Sequence, residues 1–322
     1  MLASAELART LARHDAPWNT DPALLPLLQA ILDDALPVAR GARLVLRYGD
    51  NGQFGLTSPS GLRVPWRAAA AAIIDQEAVV SHPGVVGAPV LGADMRGVVL
   101  LYHHPATELA AGETLARAFA KRVEMELAAS TARLSSITGI VDGLVHMLAA
   151  YDPATAVHSQ VVRRLARACG QAARLSSSEL LELEWAAALH DVGKVSIPLP
   201  VLHKVGSLSA PEWALIRQHP TIGERIVRPV PGLEAVAFAI RHHHERWDGA
   251  GYPDRLAGTA IPLASRLVAV VDAYETMRAG RPYRAPFSRD EAIRELESAA
   301  GRQFDPALLD LLPALRKCDI DF

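Results

Sequence analysis

Histidine and carboxylate side chains are concentrated in one stretch of the chain, from Leu189 to Pro253, which holds six of the twelve histidines. The first of them, His190, is followed directly by Asp191 at the end of an apolar run. Burying either side chain without a partner costs several kcal/mol, so the two form either a hydrogen-bonded core pair or part of a metal site. The further histidines of the same stretch favour the metal site. Imidazole nitrogens combined with carboxylate oxygens suit zinc, manganese or iron better than calcium or magnesium.

The elements that must position these side chains are predicted helices. Two capping boxes, SSSE at 176–179 and SAPE at 209–212, open two of them. The first helix is predicted to run to His190, and the second to run through His219, where Pro220 ends it. The C-terminal half is therefore predicted to be all-α. Its remaining helices are predicted near 154–170, 232–244, 263–278, 288–299 and 305–316.

These helices carry seven candidate donors at their ends or within them. Taken alone, His158 fits a surface or capping histidine better than a ligand, and Asp272 fits either a buried salt bridge or a ligand. Seven side chains exceed what one ion takes from a protein, whereas two ions sharing the Asp191 carboxylate would use all of them and leave positions open for water and substrate. The seven are His158, His190, Asp191, His219, His243, His244 and Asp272.

The N-terminal half has a different pattern, which predicts an α+β unit. Short apolar runs at 42–49, 53–58 and 61–66 read as strands. Two more predicted strands, 85–91 and 96–102, are joined by a glycine-containing loop as a hairpin. Together they predict a small mixed sheet. Helices are predicted at 3–14, 22–36 and 68–74.

A long helix is predicted to follow the sheet, starting near Thr107. Its apolar side chains alternate at spacings of three and four over two heptads, which fits either a packed amphipathic helix or the stalk of a dimer. In both cases the helix joins the two halves of the chain. The apolar positions are Leu134, Ile137, Val141, Leu144 and Leu148.

Composition sets limits on function. The formal net charge is −2, so no global basic field is available to hold a nucleic acid polymer, and an anionic substrate must be held locally. Two cysteines, Cys169 and Cys318, are too few for a disulfide framework and fit a reducing cytosol. Without an unbroken apolar run of membrane length or a signal peptide, the chain is expected to be cytoplasmic and not membrane-bound.

Five segments resemble the HD-GYP family of bacterial cyclic di-GMP phosphodiesterases: HDVGK, the HP dipeptide, HHERWDGAGYP, the aspartate of VVDAYETM and RPYR. This resemblance spans about 137–322. The pattern of residues 85–128 resembles a GAF-type sensor domain. The two resemblances imply a GAF-like domain at 1–128, a connecting helix at 129–150 and an HD-GYP catalytic domain at 151–322.

The HD-GYP resemblance implies roles for individual residues. The seven donors would bind two divalent ions, iron or manganese, with Asp191 and Lys194 catalytic and Lys194 on the scissile phosphate. Two positions of the RPYR segment, Arg281 and Arg284, would contact phosphate or guanine. The implied reaction is hydrolysis of cyclic di-GMP to linear pGpG, or on to GMP, regulated by the N-terminal domain. Residues of the substrate and partner lip would be Gly251, Tyr252 and Pro253.

Two positions depart from the family pattern. Ala154 stands where some members carry a glutamate that binds a third metal. Glu275 replaces the second aspartate of a DxxD motif, and it is expected to face the substrate or to support a metal ligand. The implied partners are a second copy of the chain, through the helix of 107–150, and a diguanylate cyclase domain. Two alternatives are a non-enzymatic receptor for cyclic di-GMP or a partner protein, and a hydrolase of another nucleotide.

Overall fold

The computed structural model describes residues 24–35, 41–48, 52–58, 70, 73, 80–82, 85–91, 95–102, 109–279 and 285–317. The chain divides into two compact units, Met1–Ser135 and Ser136–Phe322. This boundary lies close to the predicted end of the first domain at 128. The predicted helix 3–14, the predicted strand 61–66 and the two candidate arginines Arg281 and Arg284 lie outside the described residues.

The first unit contains a five-stranded sheet in the order β2-β1-β5-β4-β3. The predicted hairpin of β4 and β5 is present, β1 pairs with β2 in the same way, and the central pair β1 and β5 is aligned with Leu44 opposite Val99. Every described strand pair is antiparallel, so the sheet formed by the described strands is not the mixed sheet that was predicted. The strands are β1 Gly41–Tyr48, β2 Gly52–Ser58, β3 Val80–His82, β4 Val85–Leu91 and β5 Met95–Tyr102.

One face of the sheet is covered by helix α1, Leu24–Asp33, which is shorter than predicted. Leu24, Leu28, Ile31 and Leu32 are all buried in one cluster with residues of the sheet, and Leu25 packs partly buried against it. This burial supplies the core of the unit. That the unit is of the GAF type stays a prediction.

The long helix α2 spans Leu109–Tyr151 and begins close to the predicted start. Along its predicted stripe, Val141 and Leu148 are fully buried and the other three residues are half-buried. This burial fits the packed amphipathic helix, and the dimer stalk stays a prediction.

By length and composition alone, one helix among the described residues, Glu113–Tyr151, could cross a membrane. Its most apolar window has a mean hydropathy of 1.3, and 17% of that window is buried. The sequence-based expectation relied on an unbroken apolar run, and Asp142 interrupts the apolar run of this continuous helix. The helix is therefore apolar on average but not continuously apolar, and one helix of this kind is weak evidence for a membrane span.

The described part of the second unit is helical, as predicted. Helices α3 and α4 pack against each other, α7 packs on α8, and α9 lies across α3 and α4. The helices are α3 Pro153–Ala172, α4 Ser177–Leu189, α5 Leu199–Leu202, α6 Ala210–Ile216, α7 His219–Val227, α8 Glu234–His242, α9 Leu263–Ala279, α10 Arg289–Ser298 and α11 Leu312–Lys317, with 3-10 turns at Val192–Ser196, Gly258–Ala260 and Pro306–Leu311.

Both capping boxes are confirmed, but two predicted helix ends are wrong. Helix α6 stops at Ile216, and His219 with Pro220 begins α7 instead of ending the preceding helix. Proline is tolerated in a first helical turn because its missing N–H has no partner there. Helix α3 continues past Gly170 to Ala172, and the glycine serves close packing instead, since a Cβ there would lie 2.6 Å from Leu180 and 3.0 Å from Leu183 of α4.

Deleting residues 1–128 is expected to leave a folded, metal-binding fragment. The unit boundary lies at Ser135, and the seven predicted donors all lie beyond it. The fragment should be soluble, helical by circular dichroism and loaded with the same number of metal ions as the full chain. An insoluble or metal-free fragment would show instead that the first unit is required to build the metal centre.

Candidate metal centre

Three histidines of the second unit share one local geometry. His190, His219 and His243 each lie at a helix end, and each donates its Nδ1–H to the backbone carbonyl three residues earlier. The Nε2 atom of each ring is therefore left with a lone pair that faces away from its own helix. The acceptors are the carbonyls of Ala187 at 2.8 Å, Ile216 at 2.7 Å and Ile240 at 2.6 Å.

The rings of His219, His243 and His244 form one group of candidate ligands, whose donor atoms all lie within 4.8 Å of one another. The Nε2 atoms of His219 and His243 are 3.2 Å apart. His243 and His244 are consecutive, and both can point to the same group because helix α8 ends at His242. The relaxed backbone beyond that end removes the 100° separation of neighbours on a regular helix.

A second group consists of His158, His190 and Asp272, again within 4.8 Å. The His158 Nε2 atom lies 3.3 Å from His190 Nε2 and 3.1 Å from Asp272 Oδ1. These residues come from three helices, α3, the end of α4 and α9. The group therefore exists only in the folded chain.

Asp191 lies between the two groups and contacts both. Its Oδ2 atom is 3.3 Å from His190 Nε2, while its Oδ1 atom is 3.3 Å from His219 Nε2. The side chain is buried and directly follows the C-cap residue of α4. The structure thus brings together all seven predicted donors, with one carboxylate oxygen of Asp191 directed to each group.

The protonation states suit metal binding at most of these positions. Burial opposes ionisation of Asp191, but Lys194 and His190 outweigh it and hold the pKa of the carboxyl well below its usual range. Burial lowers the pKa of His219 to about 3. Burial likewise lowers the pKa of His243 and of His244. Neutral imidazoles and an ionised carboxylate are the forms that ligate a metal.

His158 differs from the other histidines. Burial lowers its pKa, but hydrogen bonds with Asp272 and Glu275 outweigh the burial and raise the pKa to about 10. The same hydrogen bond with His158 keeps the pKa of Asp272 below its usual range, although burial acts in the opposite direction. A proton and a divalent cation would therefore compete for the same place beside His158.

The donor set fits an ion in each group. In the group of His219 and His243, two Nε2 lone pairs face each other at 3.2 Å, and both Nδ1–H groups are already donated to carbonyls. Two such acceptors repel unless a positive charge lies between them. An ion bonded to both nitrogens at about 2.0–2.1 Å would hold them roughly 3 Å apart. Nitrogen and carboxylate donors of this kind suit first-row transition metals.

Glu275 is buried, and its Oε2 atom lies 2.5 Å from His158 Nδ1. A carboxylate bonded to the second ring nitrogen orients a ligating histidine and makes it more basic. The sequence left two roles open for Glu275, contact with the substrate and support of a metal ligand. Its contact with His158 fits the support of a metal ligand better.

Lys194 makes an ion pair with Asp191, since its Nζ atom lies 2.5 Å from Asp191 Oδ2. The side chain is 23% exposed, so the ammonium reaches the edge of the centre that solvent can enter. Its contact with a scissile phosphate stays a prediction.

The predicted lip at 251–253 folds back over the end of α8. The Tyr252 ring lies 5.0 Å from the His244 ring, and the Tyr252 N–H donates to the His244 carbonyl at 3.2 Å. Gly251 is needed for this approach, because a Cβ there would lie 2.4 Å from the backbone nitrogen of Arg246. The lip therefore closes one side of the group that contains His244.

Asp254, just after the lip, is held by two side chains that the sequence did not single out for this role, Arg241 and His242. Arg241 donates to both of its carboxylate oxygens, at 2.6 and 2.8 Å, and also contacts Glu224. The His242 Nε2 atom lies 2.8 Å from the same carboxylate. His242 is therefore engaged outside the metal centre, which explains why only two members of the histidine triplet face inwards.

Arg217 is a second residue that sequence reasoning missed. Its guanidinium carbon lies 5.6 Å from the centre of the Tyr252 ring. No sequence motif marks this contact, because the two residues are far apart in the chain and meet only through the fold. The basic side chain two positions before His219 was the one available signal.

Comparison with known proteins places the chain in a family. Residues 143–308, more than half of the chain, match the family model described as "HD domain". The chain belongs to the HD-domain family. Its helical second unit, with the HD pair His190–Asp191 at the centre of the donor set, has the fold expected for that family.

Several curated proteins share this part of the chain. The 3'3'-cGAMP-specific phosphodiesterase 2 of Vibrio cholerae is 39% identical over 54% of this chain and 34% of its own length. A cyclic di-GMP phosphodiesterase of Thermotoga maritima is 37% identical over 54% of this chain and 48% of its own length. The chain thus spans between a third and a half of the length of these relatives.

A solved structure of Bd1817, an HDG"Y"P protein from Bdellovibrio bacteriovorus, is similar with a TM-score of 0.43 and 18% identity. The similarity covers 70% of this chain and 84% of that one.

Proposed function

We propose that the second unit, as a member of the HD-GYP group, hydrolyses one phosphodiester bond of cyclic di-GMP to give linear pGpG, and that a second hydrolysis, of pGpG, gives GMP. The observation that carries the proposal is the pair of donor groups joined through Asp191. Sites with two adjacent metals recur in enzymes that cleave phosphate esters. Relatives named as phosphodiesterases of cyclic di-GMP and of 3'3'-cGAMP support the substrate class.

Two divalent ions, iron or manganese, would offset charge on the phosphate and make an attacking water more acidic. The chain supplies the positioning. Backbone carbonyls keep three Nε2 lone pairs directed inwards, and Glu275 fixes the ring of His158. Asp191 contacts both groups and fixes their relative position. Lys194 places an ammonium where it would stabilise negative charge on a non-bridging phosphate oxygen.

The test is a turnover assay on the full chain. Protein reconstituted with Mn²⁺ or Fe²⁺ is incubated with cyclic di-GMP, and the products are separated by chromatography. Hydrolysis that is abolished by a chelator and restored by the metal supports the proposal. Tight binding of cyclic di-GMP without turnover would replace it with the receptor alternative. Cleavage of 3'3'-cGAMP alone would move the substrate to that dinucleotide.

The same proposal includes regulation by the first unit, a homodimer through the helix of 107–150, a diguanylate cyclase partner and a cytoplasmic location. Support for the homodimer comes from the exposed apolar side chains of α2, which include Met125 at 63% and Ile140 at 44% exposure. Sedimentation of the full chain tests the homodimer, and a mass corresponding to one chain at micromolar concentration would contradict it.

Full-length protein purified without chelator is expected to hold two metal ions per chain. Ala154, the position where some relatives of the HD-GYP type would carry a third carboxylate ligand, is exposed one turn before His158 and has no donor atom. The nearby Asp152 is engaged, since it caps α3 and contacts His203 at 3.2 Å. Metal analysis by mass spectrometry measures the count.

Ala154→Glu is the matched variant, because it restores an anionic donor on the helical face of His158. It is expected to raise the count towards three. Ala154→Gln, which is similar in size but uncharged, should stay at two. Wild-type protein that reproducibly carries three ions at full occupancy would contradict this count.

A further inference from the structure

Arg217 lies at the end of helix α6, two residues before His219. The residue is exposed, and its backbone N–H is satisfied by the carbonyl of Trp213. Its backbone position is thus fixed by the helix end, and its side chain extends over the neighbouring lip.

Three side chains follow one another outwards from the metal centre at this point. The His244 ring contacts the Tyr252 ring at 5.0 Å between centroids, and the Arg217 guanidinium carbon lies 5.6 Å from the Tyr252 ring centroid. A cation within about 6 Å of an aromatic face is attracted by the ring. This contact holds the guanidinium near the rim of the His219, His243 and His244 group.

The charge of Arg217 is not neutralised within the described part of the chain. Its guanidinium forms no ion pair with a described carboxylate, whereas Arg241 and Arg246 nearby are paired with Asp254 and Asp248. A planar guanidinium with unused N–H donors suits recognition of a phosphate oxygen pair.

A cyclic dinucleotide presents two phosphodiester groups on opposite sides of one ring. If one of them is cleaved at the metal centre, the second must be held by another cation, because a chain with a net charge of −2 provides no general positive field. The Tyr252 ring separates His244 from Arg217, and the second phosphodiester would lie on the outer side of that ring.

We propose that Arg217 binds the phosphodiester that is not cleaved, with Tyr252 as the surface that supports it. This inference rests on the proposed function and adds a residue to its substrate site. Because both phosphodiesters are alike in cyclic di-GMP and 3'3'-cGAMP, Arg217 acts equally on the two molecules and does not distinguish their bases.

The experiment compares Arg217→Ala and Arg217→Lys with wild type in the full-length, metal-loaded enzyme, using both dinucleotides. Arg217→Ala is expected to raise KM by roughly tenfold or more, with kcat changed by less than about twofold and with the same factor for both substrates. Arg217→Lys should recover a large part of the loss, since it keeps the charge. Arg225→Ala, an exposed arginine on α7 without an ion pair among the described residues, is the control.

A binding measurement separates this inference from the proposed function. Fluorescence anisotropy with labelled cyclic di-GMP on the metal-loaded protein, read at low temperature before turnover, should show weaker binding to Arg217→Ala than to wild type or Arg225→Ala. Equal binding of all three would overturn the inference even if the wild type is an active phosphodiesterase. Unequal KM factors for the two substrates would also overturn it, because they would place Arg217 on a base. Wild-type protein that binds cyclic di-GMP but does not hydrolyse it would contradict the proposed function, while the comparison of binding between wild type and Arg217→Ala would still test this inference.

Discussion

Replacing Asp191 with alanine is expected to abolish hydrolysis and to lower the metal content of the protein. Asp191 directs one carboxylate oxygen to the group of His158, His190 and Asp272 and the other to the group of His219, His243 and His244. Its loss removes a shared anionic donor from both groups at once. Turnover should fall by at least roughly a thousandfold, which corresponds to about 4 kcal/mol of transition-state stabilisation. Metal analysis and a cyclic di-GMP assay measure the two effects.

The controls separate a lost ligand from a lost fold. Asp191→Asn keeps the shape of the side chain and one oxygen but removes the charge, so it should also lose metal while retaining its helical circular dichroism. Asp310→Ala changes an exposed aspartate of the same unit and should behave as wild type. An Asp191→Ala protein that keeps both metals and normal turnover would rule out the bridging role.

The donor set could be predicted from the sequence because its members are chemically unusual. A histidine or carboxylate within an apolar helix stands out against the pattern around it, as Asp272 does in α9 and Asp191 does after α4. The motif order then assigned them to one centre. The structure confirms that these side chains meet, although 114 positions separate His158 from Asp272.

The parts that could not be predicted depend on contacts between distant segments. The burial of Glu275 against His158 decides between its two expected roles, and neither residue carries that information in its local pattern. The end of α6 was misplaced for a different reason. A proline is compatible both with the end of one helix and with the first turn of the next, and only the backbone shows that Pro220 lies in the first turn of α7.

Gly193→Ala is expected to disrupt the metal centre without removing any donor. Gly193 lies in the turn after Asp191, where a Cβ would be 2.0 Å from the backbone oxygen of His219 and 2.6 Å from the backbone nitrogen of Gly223. Backbone atoms at such distances cannot turn away as a flexible side chain could, so the start of α7 must move. Because His219 belongs to that start, the shift displaces one ligand from the other two in its group.

The expected cost of this overpacking is about 3 kcal/mol, with an apparent melting temperature lower by roughly 5 to 10 °C. Backbone strain is not the cause, since Gly193 is not among the glycines with positive φ. Gly143→Ala, at a helical position where a Cβ meets nothing within 4 Å, is the matched control and should be neutral or slightly stabilising. Thermal melting monitored by circular dichroism, with metal analysis of the folded fraction, measures both consequences. A Gly193→Ala protein with wild-type melting and full metal content would mean that α7 is not held against this turn as the structure has it.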